Sequence, residues 1–376
     1  MASVLAPAVA PELGLPPERV GLFVGVAYLS AMLSGLLAGP SMLARGPITI
    51  SIVALLATSL GLAATTPGIA VLMLGGAVLI GSGYGLTNPA AAIVLQQQAP
   101  PQRSALFFSI KQTGVPLGVA LSGTLAPALY FWLGWQAAVL VLALPGVLLA
   151  GFLHPVRPVF DREAGGGRKR SGRARLAAPL LLVLRSPRLR RLGALSFVYA
   201  TTQMSFLTFL VTYLKLERGM SLTAAASVLA VAQLTSFVAR IGWGHVADRW
   251  IRPAVLLGCL GIAMALSCVA LAVLPQSASY ALALAVATAC AATAVGWNGV
   301  YLSELVRDVP RERVGAVTGA TQFLTFFGAT SGPVLFGQAI SLSASYSVAY
   351  LGLAVLPAAT GVLMLLAARR ERPARS

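Results

Sequence analysis

The chain has 376 residues, of which 57% are hydrophobic and 10% are charged, and its mean hydropathy is +0.84. This is more apolar side chain than the core of a soluble domain of this length takes up, so the soluble globular class is excluded. The formal net charge of +17 is typical of nucleic-acid partners, but here the cations lie in short loops between apolar runs, so no nucleic-acid binding is expected.

Five apolar segments in the first part of the chain are long enough to cross a bilayer, which takes roughly 20 helical residues. Short turns that contain proline or glycine separate them. They lie at residues 19–39, 48–66, 69–95, 104–132 and 136–154. Before them, Met1 to Ala10 is too short to span and lacks the basic start of a signal peptide, so we interpret it as the outer end of a truncated first helix. Residues 1–154 are therefore expected to form an N-terminal transmembrane half.

Residues 155–191 are predicted to be a basic linker. Its arginines and one lysine surround the run Gly165 to Gly167, a composition typical of a flexible cytoplasmic loop. A location of the linker next to anionic lipid headgroups explains its positive charge. A specific binding site for a partner is the alternative.

Six further apolar segments form a C-terminal half, residues 192–368, followed by a basic cytoplasmic tail, residues 369–376. The segments lie at 192–214, 222–246, 254–274, 279–304, 314–341 and 345–367. Loops 96–103, 247–253 and 305–313 carry arginine, whereas the turns 133–135, 275–278 and 342–344 on the other side carry no charge, so the orientation is consistent along the chain. We expect an all-α integral membrane protein with eleven complete transmembrane helices plus the truncated first helix.

An internal repeat relates the two halves. Five pairs of identical residues stand 210 positions apart: Asn88 and Asn298, Pro100 and Pro310, Arg103 and Arg313, Gln112 and Gln322, and Gly118 and Gly328. Asparagine occurs only at those two positions, so coincidence is a poor explanation. A second set, at a separation of 205, joins Glu12, Gly14 and Gly39 to Glu217, Gly219 and Gly244. It aligns the start of the chain with the end of the seventh helix, which again indicates a truncated first helix.

At this point the chain resembles the major facilitator superfamily over essentially its full length. The stretch from Gly244 to Arg249, followed by Arg252, is similar to the loop motif of that family. In the first-half copy Leu43 stands where the motif has aspartate. The stretch Gly328 to Pro333 looks like the glycine-proline motif of antiporters, which drug exporters carry in the fifth helix, where this chain has a looser Gly114 to Gly118. The resemblance implies two six-helix halves and secondary transport by alternating access.

Two basic residues inside apolar spans are the leading candidates for the substrate site. Lys111 lies about 12 Å into its span, and Arg240 lies about as deep in its own. A cation at such depth is costly and is expected to face protein or water. Small residues that share the helix face of Lys111, namely Gly114, Gly118 and Ser122, are expected to let another backbone approach closely.

The family fold implies that the helices of Lys111 and Arg240 pack together. None of the ten acidic residues lies deep in a span, so the substrate itself is the expected counter-ion. The alternative is that the two cations reach toward the cytoplasm or bind backbone carbonyls. Further candidates for substrate binding are polar or aromatic residues on the same or family-implied cavity helices: Asn88, Asn298, Tyr84, Trp297, Gln112, Gln322, Gln203, Gln233 and Tyr28. For the two asparagines the alternative is hydrogen bonding between helices within each half. For Tyr28 the alternative is packing.

A cytoplasmic gate is predicted around Asp248, which follows Gly244 at the end of its helix. Its carboxylate is expected to face the positive N-terminus of the span 104–132, near Arg103, with Arg249 and Glu304 extending the contact. A surface ion pair is the alternative.

The chain is predicted to be a transporter of a small organic or inorganic anion. An exporter of neutral or apolar compounds and a non-transporting sensor are the alternatives. No nucleophile and base pair, metal-ligand spacing or phosphate loop is visible, so an enzyme is not expected. The three cysteines, Cys259, Cys268 and Cys290, all lie in apolar runs, so neither disulfides nor a metal site nor any other cofactor is expected. We expect a monomer in the lipid bilayer of the bacterial cytoplasmic membrane, with the linker and C-terminus in the cytoplasm.

Overall fold

The computed structural model describes residues 20–162 and 177–370, and the described part of the chain contains helices and no strand. The expected first-helix stub, the middle of the linker and the last six residues fall outside these ranges. Eight described helices are long and apolar enough to cross a membrane. A ninth is obtained when Leu22–Leu36 and Ala38–Arg45, which meet at a bend of 58°, are taken as one span. The all-helical membrane fold is confirmed, and the count of eleven complete spans stays a prediction.

The helices before and within the predicted linker are numbered in chain order. They are α1 (Val20–Leu36), α2 (Ala38–Arg45), α3 (Pro47–Ala63), α4 (Ala70–Gln98), α5 (Ser104–Gln112), α6 (Gly114–Leu153), α7 (Arg157–Phe160) and α8 (Ala177–Arg185). The backbone of α6 leaves helical geometry at Gly134, where φ is 75°, so its two parts correspond to separate predicted spans. The described ends of the predicted linker, in α7, α8 and the first turn of the next helix, are helical.

Seven helices follow in the second part of the chain. They are α9 (Pro187–Leu216), α10 (Leu222–Arg249), α11 (Pro253–Ala272), α12 (Tyr280–Ala294), α13 (Asn298–Val306), α14 (Arg311–Ser343) and α15 (Tyr346–Arg370). Two spans that the sequence predicts as continuous, 104–132 and 279–304, are interrupted. The first breaks between α5 and α6, and the second breaks between α12 and α13.

The described chain divides into two compact units. The first contains residues 20–98, 115–162, 177–186 and 308–323, and the second contains 99–114, 187–307 and 324–370. The first parts of the predicted spans 104–132 and 314–341 thus pack with the unit opposite to the one that holds the rest of the span. The division into two halves at the linker stays a prediction.

Glycines of α4 set the packing of the first unit. A Cβ atom on Gly81 or Gly85 would overlap the backbone of α1 at Ala27 or Ala31. A Cβ atom on Gly76 would overlap the carbonyl of Gly61 in α3. Only glycine therefore lets α1 and α3 lie directly against α4 at these positions.

Two tyrosines tie α9 to α11 in the second unit. The hydroxyl of Tyr199 donates to the carbonyl oxygen of Leu257 at 2.6 Å, and that of Tyr213 donates to Leu271. Both tyrosines are fully buried. Because a buried hydroxyl is costly without a partner, these bonds fix the register of the two helices.

Three carboxylates accept hydrogen bonds from the first backbone N–H groups of helices, which have no partner within the helix. Asp161 accepts from Ile48 and Thr49 of α3, at 2.9 Å each. Glu217 accepts from Tyr346 of α15 at 2.6 Å. Asp248 does the same for α5. The negative charges also complement the positive ends of the helix dipoles, so these acids stabilise the helix starts.

Candidate functional site

Lys111 lies in the last turn of α5 and is half-buried. Its ammonium group donates a hydrogen bond to the side-chain oxygen Oε1 of Gln112 at 3.1 Å. Gln112 itself is 5% exposed. A cation at this position therefore sits at the end of a short helix segment, beside a buried amide.

Arg240 of α10 reaches the same residue. Its side chain is almost fully buried, with 4% exposure, and Nη1 donates to the backbone oxygen of Gln112 at 2.7 Å. The reason lies four residues further along the chain, where Pro116 has no N–H group to donate to that carbonyl. Arg240 thus supplies the hydrogen bond that the proline removes. The structure brings Lys111 and Arg240 to one residue, and it also bears out the alternative that Arg240 binds a backbone carbonyl.

A side chain on the same face of α10 also donates a hydrogen bond at a second helix break, the one between α12 and α13. The indole N–H of Trp243 donates to the carbonyl oxygen of Ala292 at 2.8 Å. Ala292 is among the last four residues of α12, whose carbonyls have no partner within the helix. Arg240 and Trp243 are three residues apart on α10, so a single helix face holds the breaks at α5 and at α12.

The close helix contact of α5 lies one turn earlier than the sequence predicts. The prediction that Gly114 and Gly118 admit a neighbouring backbone is wrong, since both are exposed and a Cβ there would meet nothing within 4 Å in the described structure. The contact falls at Ser109, which is fully buried. A Cβ on Gly244 of α10 or on Gly299 of α13 would overlap Ser109.

A cluster of amides lies beside these helices in the second unit. Gln203 of α9 accepts two hydrogen bonds on Oε1, one from the indole of Trp297 at 3.1 Å and one from Nδ2 of Asn298 at 3.3 Å. Trp297 is fully buried and stacks edge-on against Tyr199. Gln233 of α10 is half-buried, and its Oε1 has no hydrogen-bond partner among the described residues.

The predicted site residues of the first unit form a separate group. Nδ2 of Asn88 donates to Oε1 of Gln322 at 2.7 Å. This bond joins the predicted N-terminal half to the predicted C-terminal half, so it differs from the alternative for asparagine, which is a bond within one half. Tyr28 is half-buried and Tyr84 is 39% exposed. Asn88, Gln322 and the two tyrosines belong to the first unit, whereas Lys111 belongs to the second.

The predicted gate residues take different positions. Asp248 accepts hydrogen bonds from the backbone N–H groups of Ala105 at 2.9 Å and of Leu106 at 2.7 Å, two residues further into α5 than expected. Arg103 and Arg249 are exposed, and neither side chain makes a hydrogen bond or ion pair within the described residues. Gly244 provides the close contact with Ser109.

Glu304 belongs to a separate cluster with two arginines, and the sequence pattern does not predict that either of them contacts it. Its carboxylate is 2% exposed and pairs with Arg307 at 2.8 Å and with Arg188 at 3.3 Å. Arg188 also donates to the backbone oxygens of Glu304 and of Arg307, the latter at 2.7 Å. A guanidinium that binds the last carbonyls of α13 stabilises the end of that helix.

The six acids that the structure describes all lie at helix ends or on the surface. Asp161, Glu217 and Asp248 stabilise helix starts, Glu304 pairs with two arginines, and Asp308 and Glu312 are exposed. In the described ranges no three metal-ligating side chains come together. Lys111 and Arg240 offer electrostatic attraction, and the amides of Gln203 and Asn298 offer hydrogen bonds.

Comparison with known proteins identifies relatives of the chain. A family model described as Major Facilitator Superfamily matches residues 1–333. The chain is similar to a hexuronate transporter of Bacillus subtilis (strain 168), with 23% identity over 300 residues that cover 73% of this chain and 68% of that protein. It is also similar to an uncharacterized MFS-type transporter of Mycobacterium tuberculosis (strain ATCC 25618 / H37Rv), with 27% identity over 290 residues that cover 74% of this chain and 61% of that protein.

Among solved structures, the chain is similar in fold to the fucose:proton symporter of E. coli. The TM-score is 0.73, the match covers 99% of this chain and 96% of that chain, and the identity is 17%. At 17% identity, this structural similarity is evidence for the fold alone.

Proposed function

The chain belongs to the Major Facilitator Superfamily, and from that premise we propose that it transports a small organic anion of the sugar-acid type across its membrane by alternating access. The observation that carries this proposal is the convergence of Lys111 and Arg240 on Gln112, well inside the apolar span. Two cations in one low-dielectric place attract an anion more strongly than exposed cations do.

The relative named a hexuronate transporter supports the same class of substrate. A hexuronate carries one carboxylate and several hydroxyl groups. Its recognition would require a cation for the carboxylate, which Lys111 offers, and amide groups for the hydroxyls, which Gln203, Gln233 and Asn298 offer. Arg240 contributes positive potential to this place while it holds the carbonyl of Gln112.

A second candidate is export of neutral or apolar compounds. The bond between Arg240 and the carbonyl of Gln112 favours it, because this cation then has a structural purpose that needs no anion. In that case Lys111 would be the only deep cation of the described spans left to attract a substrate. For either function we propose a monomer in the bacterial cytoplasmic membrane, with the basic linker and the C-terminus in the cytoplasm.

Uptake into proteoliposomes separates the candidates. Radiolabelled D-glucuronate and radiolabelled D-glucose, which differ by one carboxylate, are offered to the purified protein at the same concentration. We expect uptake of D-glucuronate that unlabelled D-galacturonate inhibits and D-glucose does not. Transport of neutral compounds alone would favour the exporter, and binding of D-glucuronate without accumulation would favour the sensor.

A further inference from the structure

The internal repeat pairs Asn88 with Asn298 and Gln112 with Gln322. In the first unit the members of these pairs meet, because Asn88 donates to Gln322 at 2.7 Å. The repeat counterpart of that bond would join Asn298 to Gln112 in the second unit. Both residues lie on helices that are in contact there, since a Cβ on Gly299 would overlap Ser109, one turn before Gln112.

The counterpart bond is not formed among the described residues. Asn298 is held by two long contacts instead, 3.3 Å to Oε1 of Gln203 and 3.4 Å to the carbonyl of Val295. Oε1 of Gln112 accepts from Lys111 at 3.1 Å. Lys111 therefore occupies the acceptor that Asn298 would use, while Asn298 holds its present partners weakly.

We propose that Gln112 is an internal competitor of the substrate at Lys111, a role that rests on the proposed anion transport. An ammonium group attracts a carboxylate by the Coulomb force between opposite charges as well as by a hydrogen bond, whereas a neutral amide oxygen such as that of Gln112 accepts only the hydrogen bond. An arriving carboxylate displaces Oε1 of Gln112 from Lys111. The released side chain turns to Nδ2 of Asn298, and the second unit gains the amide pair that the first unit already has.

Gln112 is thus a positioning residue that sets the affinity for the anion and couples its arrival to α13. The exchange needs rotation of side chains, since α5 and α13 are already in contact at Ser109 and Gly299. The backbone of Gln112 stays fixed meanwhile, because Arg240 holds its carbonyl.

Binding of D-glucuronate tests the competition. Gln112→Met keeps the length of the side chain and removes the acceptor, so the dissociation constant should fall at least about threefold, as loss of one competing hydrogen bond predicts, while transport slows. Gln322→Met is the matched variant, since it removes the repeat counterpart, and there no rise in affinity is expected. Weaker binding by Gln112→Met would show that Gln112 is a direct ligand and would overturn the inference.

A measurement without ligand tests the exchange by itself. The protein has five tryptophans, and 5-fluorotryptophan gives each a ¹⁹F NMR signal, with that of Trp297 assigned by its loss in Trp297→Phe. Lys111→Met frees Gln112, so Asn298 should leave the oxygen of Gln203 that it shares with Trp297, and the Trp297 signal should move. In Lys111→Met/Gln112→Met, a variant whose folding is checked by chromatography, the signal should stay in place.

The two measurements fail in different ways. An unmoved Trp297 signal in Lys111→Met, or an equal shift in the double variant, would overturn the role of Gln112 whether or not D-glucuronate is transported. Absence of D-glucuronate binding together with the expected Trp297 shift would overturn the proposed substrate class and leave the exchange between Lys111 and Asn298 standing.

Discussion

Gln112 accepts hydrogen bonds from two cations, one through its side chain and one through its backbone. The positions of Lys111 and Arg240 deep within apolar spans are enough to identify them as candidate functional residues, because a charge there costs free energy. It does not identify Gln112 as the group on which they meet, because hydrogen-bond partners depend on how helices pack. One local signal was available: Pro116 stands four residues after Gln112 and predicts that its carbonyl needs another donor.

At the residue scale, we expect Arg240→Met to destabilise the protein by about 1–3 kcal/mol, because the buried carbonyl of Gln112 loses its donor. In a Pro116→Ala background the new N–H group can donate to that carbonyl, so the cost of Arg240→Met should shrink. Thermal unfolding of the two single variants and the double variant measures the coupling. Pro145→Ala, at another proline of α6, is the matched background. An equal cost of Arg240→Met in all three backgrounds would contradict the assignment.

Two kinds of contact join the helices of the second unit. One is close approach at glycines, and the other is hydrogen bonding to backbone carbonyls at helix breaks. Gly244 and Gly299 admit Ser109, and Arg240 and Trp243 hold the carbonyls at the two breaks. Hydropathy predicted most of the described helix bounds within a few residues, but it did not predict the breaks, which depend on Pro116 and on side chains from α10. The prediction of close helix approach at Gly114 and Gly118 was wrong for a related reason. A glycine permits close approach, and the neighbouring helix decides where approach occurs.

At the element scale, Gly244→Ala should destabilise the protein by about 1–3 kcal/mol, because the added methyl group overlaps Ser109 and the backbone of Ala105. Gly242 is the matched control on the same helix, since its Cβ would meet nothing within 4 Å in the described structure. We expect Gly242→Ala to be neutral or slightly stabilising. Equal unfolding temperatures for the two variants would show that the contact at Ser109 is loose.

The start of α5 gives a second prediction at this scale. Asp248→Asn keeps the shape of the side chain and removes the charge, which should cost about 1 kcal/mol at the helix start and loosen the cytoplasmic gate that we propose there. Maleimide labelling of Ser104→Cys, in a background without native cysteines, should then be faster. Asp161→Asn removes an equivalent charge from α3 and should not change labelling at Ser104. Unchanged labelling with Asp248→Asn would make Asp248 a surface charge without a gating role.

At the scale of the whole molecule, composition and the distribution of arginine carry most of the fold assignment. They predict a polytopic helical membrane protein, which the helices confirm. They do not show that the first part of the 104–132 span packs with the second unit, because that depends on Gly244, Gly299 and Asp248 at specific places. The acidic residues are a second example. The sequence shows that they lie near the ends of spans, but it does not show which helix start each carboxylate contacts.

The orientation predicted from the arginines can be tested with reporter fusions. A cytoplasmic reporter fused after Arg175 and another fused after Ser376 should both be active, because basic loops are retained on the cytoplasmic side. A fusion in the uncharged turn 275–278 should be inactive. Opposite results for the first two fusions would contradict an even number of spans between them.

The central claim is that the charge of Lys111 attracts the substrate, and flux of radiolabelled D-glucuronate in proteoliposomes measures it most directly. Lys111→Gln should abolish uptake or raise the Michaelis constant at least about tenfold, which corresponds to about 1.4 kcal/mol. Lys215→Gln, at an exposed lysine near the end of α9, should transport like the unchanged protein. Unchanged D-glucuronate flux in a well-folded Lys111→Gln protein would contradict the claim.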